Sequence, residues 1–95
     1  MTGQEGVSMV MHGNLDMKTV PALFATGLKH LQNEDLQVDF SRVESVDSAA
    51  VSMLLGWARA AQQSKRVLRV AGLPDDLLSL ARLYGVDDLL PRQSA

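Results

Sequence analysis

Ser48 follows Asp47 and precedes Ala49 and Ala50, where a strand-and-loop segment gives way to a helical pattern. Free backbone N–H groups and aligned peptide dipoles at such a place favour an anion, so a phosphoryl group at Ser48 is one chemistry that the position offers. Capping is the other. Asp and Ser are both enriched at helix N-caps, and either Asp47 or Ser48 fills that role. As a hydrolytic nucleophile Ser48 lacks company. No G-x-S-x-G occurs, and the two histidines, His12 beside Gly13 and His30 near the end of a helix, stand at no meaningful spacing from it. Asp16, Asp39 and Asp47 lie near strand–helix junctions, and three carboxylates can hold Mg²⁺. Asp39 falls inside its strand, however, so no metal site is expected. Neither G-x-x-x-x-G-K-S/T nor G-x-G-x-x-G is present. Nucleotide-dependent catalysis therefore has no visible phosphate loop, and no cofactor is expected.

A second chemistry is contact. At about 100° per residue, Ser48, Ser52, Gly56, Arg59 and Gln63 fall on one arc of a helix, opposite Ala50, Val51, Leu54, Trp57, Ala58 and Ala61. Gly56 costs about 1 kcal/mol against alanine in a helix interior, and on the polar arc no core packing justifies it. Ala49, Ser52, Arg59 and Ala60 around it give a smooth patch, with Met53 and Trp57 as an apolar margin, suited to a protein partner.

The elements that must position these residues are readable from periodicity. Val7, Met9 and Met11 alternate with Ser8, Val10 and His12, a first strand that Gly13-Asn14 ends. Met17 to Leu31 carries Val20, Leu23, Phe24, Gly27, Leu28 and Leu31 at helical spacing. Asp16 is placed as its N-cap and Pro21 near its start. Leu36, Val38 and Phe40 alternate in a second strand, and the contact helix runs from about Ser48 to Ser64. Val67, Leu68, Val70 and Ala71 read as a third strand. A last helix is capped by Asp75 or Asp76, carries Leu77, Leu80, Ala81 and Tyr84, and stops at Gly85. Val86, Leu89 and Leu90 make a closing hydrophobic clasp. The order β-α-β-α-β-α predicts a small α/β sandwich, with helices packed mainly on one face of a short sheet.

The totals agree. Ninety-five residues suit one domain, spanning 1–95, and the 46% hydrophobic and 21% charged residues are near the globular average. No apolar run approaches the roughly 20 residues of a membrane span, and the first residues lack a signal-peptide pattern, so a cytoplasmic protein is expected. There are no cysteines, which excludes disulfides and thiolate chemistry. A net charge of -2 gives no electrostatic footprint for nucleic acid.

Four segments in order, "GNLD", "VDFSRVESVDSAAVSMLL", "RVLRVAGLP" and "LLSLARLYGVDDLLP", resemble the STAS domain, the fold of sulfate transporters and anti-sigma-factor antagonists. The resemblance implies a mixed sheet that opens with an antiparallel strand. With six residues ahead of Val7, that strand is expected to be short or missing, leaving Val7 to His12 open to self-association. In the antagonists the serine after the motif aspartate is phosphorylated. That position is Ser48 here, with Asp16 and Asp47 beside it, but Ala49 and Ala50 replace the usual Ser or Thr and Gly. "DFSRVESVDSAA" with "LARLYGVDDLLP" is most similar to the small cytoplasmic STAS subunit of the Mla phospholipid transport system. That likeness implies no catalysis, docking on an ABC ATPase through Ser48, Ala49, Ser52, Gly56 and Arg59, and a place at the inner face of the inner membrane through that partner.

Overall fold

A computed structural model describes residues 6–85. The elements run β1 (Val7–Leu15), α1 (Val20–Leu31), β2 (Leu36–Val46), α2 (Ser48–Ser64), β3 (Leu68–Ala71) and α3 (Asp75–Leu83). The strands form one sheet in the order β1-β2-β3, and both pairings are parallel. When chain order and strand order agree, two right-handed crossovers leave their helices on the same side of the sheet. Accordingly α1 and α2 pack against each other, and α3 packs on α2 and β2. The expected α/β architecture, with helices on one face, is present. The mixed character of the sheet is not found among the described residues. The antiparallel strand that the resemblance implies would fall ahead of Gly6, outside them, and β1 is an edge of the described sheet.

Burial follows the strand period. Leu36, Val38 and Phe40 of β2 point into the core, between exposed Gln37 and Ser41. Met11 and Leu15 of β1 and Val70 of β3 join them from either side. The helices close the layer with Val20 and Leu31, with Ala50, Val51, Met53, Leu54, Trp57 and Ala61, and with Leu77 and Ala81. Met53 and Trp57, expected at the margin of the contact patch, are both buried, and of the two only Met53 also lines a groove beside Ser48, Ala49 and Ser52. They are 2% and 0% exposed, and the Trp57 indole lies against α1 at Gly27.

Several boundaries move. β1 does not stop at Gly13-Asn14 but continues to Leu15. Gly13 takes a left-handed φ of +67°, and β2 inserts one extra residue between the partners of Val10 and His12 and another between those of Gly13 and Asn14. Such bulges bend a strand without ending it, so β2 also runs on to Val46. Asp16 is not the N-cap of α1. Its Oδ1 accepts from the N–H of Lys18 at 2.9 Å and of Thr19 at 3.1 Å, closing an Asx turn one step before the helix. Thr19 stands at the cap position without a side-chain bond to the helix. Pro74, not Asp75 or Asp76, precedes α3, and the two aspartates sit in its first turn, where they complement the helix dipole. Gly85 ends α3 at φ +70°, as its position suggested. The clasp of Val86, Leu89 and Leu90 lies outside the described residues.

Candidate docking site at the start of the second helix

The carboxyl ends of parallel strands are where α/β sheets present their loops, and here the β1–α1 and β2–α2 connections lie side by side. The Asp47 N–H donates to the Leu15 carbonyl at 3.1 Å, and Ser45 Oγ donates to Asn14 Oδ1 at 2.7 Å. Thr19 Oγ1 ties the same corner by donating to the Asn14 carbonyl at 2.8 Å. These bonds tie the end of β1 to the end of β2 and hold the two connections together, and Asp16 itself does not line the groove at the start of α2.

Asp47, in extended backbone, caps α2: its Oδ1 accepts from the Ala49 N–H at 2.8 Å, and its carbonyl accepts from the Ala50 N–H at 3.0 Å. Ser48 is therefore the first helical residue, exposed, and not the cap. The open anion site expected at this helix tip is already filled in part by the chain's own carboxylate. Among the described residues no three acidic or histidine side chains gather into a cluster that could hold a metal ion. Asp39 stays in mid-β2, where its Oδ1 accepts from the Ser41 N–H at 2.8 Å. That bond, with the Ser41 hydroxyl and the charge of Arg42 adding to it, holds its carboxyl below the usual carboxylate range. His12 is exposed on the open sheet face, and His30 lies 3.5 Å from Glu34 one turn on, far in sequence and element from Ser48.

Between the start of α2 and the approach to α1 lies a groove of about 350 Å³, lined by Met17, Val20, Phe24, Ser48, Ala49, Ser52 and Met53. Three of the five expected contact residues, Ser48, Ala49 and Ser52, meet there. The other two do not. Arg59 is exposed on the same crest but lines a separate recess of about 170 Å³ with Leu55, Ala58 and Gln62, on the flank away from α1. Gly56 is not bare surface, because the Phe24 ring lies over it. An added Cβ would stand 2.6 Å from Phe24 Cε1 and 2.7 Å from Cζ. The packing reason that the sequence lacked for this glycine is thus the neighbouring helix.

Met17 and Phe24 are the site residues that periodicity missed. Phe24 reads as one more member of the α1 stripe, and Met17, 79% exposed, as the first residue of that helical run, whereas α1 starts at Val20. Only the meeting of α1 with α2 makes them the far wall of a groove.

The family model described as "Mlab, STAS domain" matches residues 2–91. The chain belongs to the STAS-domain family. This STAS domain is 29% identical over 80 residues to the anti-sigma-B factor antagonist of Staphylococcus aureus strain NCTC 8325 / PS 47, covering 82% of this chain and 74% of that one. The antagonist of strain COL matches to the same extent. Its fold is similar to the solved structure of the anti-sigma factor antagonist SpoIIAA in its unphosphorylated form. That likeness has a TM-score of 0.74 at 18% identity and covers 99% of this chain and 84% of the other. None of the helices among the described residues is long and apolar enough to cross a membrane.

Proposed function

We propose that this STAS domain is a non-catalytic docking subunit of an ABC-type phospholipid transport complex. It binds the cytoplasmic ATPase subunit through the start of α2, supports that subunit's assembly or activity, and meets the membrane only through it. The groove carries the reading. It joins Ser48, Ala49 and Ser52 to Met17 and Phe24 in one surface without a charged side chain, and the centres of protein interfaces are depleted of charge. The Mlab label of the family that matches the chain adds to this choice of partner. The test is co-expression with the ATPase subunit. A stable complex is expected, and Ser48→Arg, which puts a large charge on the groove rim, is expected to abolish it. An unaltered complex overturns this choice of face.

One observation favours a second reading, an anti-sigma-factor antagonist switched by phosphorylation at Ser48. That hydroxyl is exposed at the first position of α2, and the Staphylococcus aureus relatives are named as antagonists. Against it stand Ala49 and Ala50, at the two positions after Ser48 where the antagonist pattern has Ser or Thr and then Gly. Intact-mass measurement after incubation with an anti-sigma-factor kinase separates the two readings.

A further inference from the structure

Two glycine–aromatic contacts join α1 to α2, and only one of them borders the groove. Gly27 is buried under Trp57, so that a Cβ there would fall inside the indole. Gly56 lies under Phe24, whose ring also lines the groove. Phe24 is held twice. The Trp57 Nε1–H donates to its carbonyl at 3.0 Å from a fully buried indole, and its ring rests on the α2 backbone at the one position without a side chain. The opposite lip is Met17, exposed and unbranched, a side chain suited to adjusting its shape. The groove thus has one aromatic wall, with its backbone anchored and its ring seated on α2, and one adaptable lip. Of its seven lining residues none is charged and two are hydroxyls. An occupant that brought a charge would leave it unpaired on desolvation, whereas an apolar side chain flanked by backbone polar groups would satisfy both lining types.

We infer that Phe24 determines which side chain the groove accepts, and that Gly56 is a positioning residue acting through it. The occupant is an apolar side chain of the ATPase subunit, so the inference rests on the docking reading above. Any side chain at position 56 drives the ring off α2 and into the space the occupant needs.

The experiment compares wild type, Phe24→Leu, Gly56→Ala and the double variant. It measures unfolding stability and the Kd for the purified ATPase subunit, at a temperature where every variant is folded. The chain has a single tryptophan, so one indole N–H resonance reports in each variant whether the bond to the carbonyl of residue 24 persists. Phe24→Leu is expected to keep that resonance in place and weaken binding about tenfold, as loss of an aromatic anchor does. Gly56→Ala is expected to lower both stability and binding. In the double variant the shorter leucine leaves room for the Cβ, so stability is expected to return while binding stays weak. Wild-type affinity in Phe24→Leu, or binding that returns together with stability in the double variant, overturns the inference. Ser48→Arg measured in parallel separates the failures. If it abolishes binding while Phe24→Leu does nothing, only the role of Phe24 falls. If it binds like wild type, the docking reading falls and takes this inference with it.

Discussion

The inner and outer contacts of the α1–α2 pair use the same parts, a glycine on one helix and an aromatic ring on the other, with opposite surroundings. At the inner contact Gly27 is buried and Trp57 has no exposed surface. At the outer contact Gly56 is half-buried, and the Phe24 ring borders open groove. A buried glycine under an indole is a demand of close packing, since interiors near crystal density have no slack for one more carbon. A half-buried glycine under a ring that also faces solvent has an escape route, because the ring can swing outward. One contact therefore serves the fold, and the other is available to recognition.

The largest expected effects break that comparison directly. Gly27→Ala forces a Cβ into the Trp57 indole and is expected to cost about 3 kcal/mol, the upper end of overpacking, measured by urea unfolding. Gly56→Ala meets a ring that can move and regains about 1 kcal/mol of helix propensity, so its net cost is expected to be about 1 kcal/mol or less in the same assay. Equal losses would show that Phe24 is as confined as Trp57 and would erase the distinction. A smaller effect sharpens it at the start of α2. Asp47→Ala removes the cap bond to the Ala49 N–H and is expected to cost about 1 kcal/mol. Asp16→Ala, which opens only an exposed turn ahead of α1, is expected to cost less. Hydrogen exchange at Ala49 should rise in the first variant and not in the second.

The smallest effect lies on the far side of the sheet, where neither contact reaches. Asp39 has its folded-state pKa lowered, chiefly by the Ser41 N–H. The deprotonated form is thus favoured by folding. Its stabilisation is present above the ordinary carboxylate range, about pH 4, and is lost as pH falls through the folded value. Asp39→Asn is expected to flatten the fall in Tm between pH 5 and pH 3 slightly and to leave the ratio of the two glycine variants unchanged. A change in that ratio would mean that the open face communicates with the helix pair.

Much of this was legible in the chain. The stripe from Val20 to Leu31, the bounds of α2 at Ser48 and Ser64, and the alternation of Leu36, Val38 and Phe40 all appear in the structure. They are set by local periods of 3.6 and 2 that need no knowledge of neighbours. The errors cluster where a neighbour decides. Gly13-Asn14 looks like a strand end, yet β1 continues because β2 accommodates it with bulges and Ser45 bonds Asn14 across the pair. Asp16 has the residue type of a cap, and so does Asp47. Only Asp47 is one, because the intervening turn from Asp16 to Thr19 places Met17 and Lys18 between the first aspartate and its helix.

The candidate site divides the same way. Sequence alone determined that Ser48, Ala49 and Ser52 share the outward start of one helix, since residues one and four apart have fixed angles on a helix whatever surrounds it. It also determined the absence of a thiol and of any phosphate-loop motif, which are matters of residue type. Tertiary structure decided what Gly56 is for and what Met17 and Phe24 do. Phe24 and Gly56 are 32 positions apart, and no period within either helix encodes how closely the two helices approach. That approach is set by the shared sheet beneath them, and it turned a glycine expected at the surface into the support of an aromatic wall.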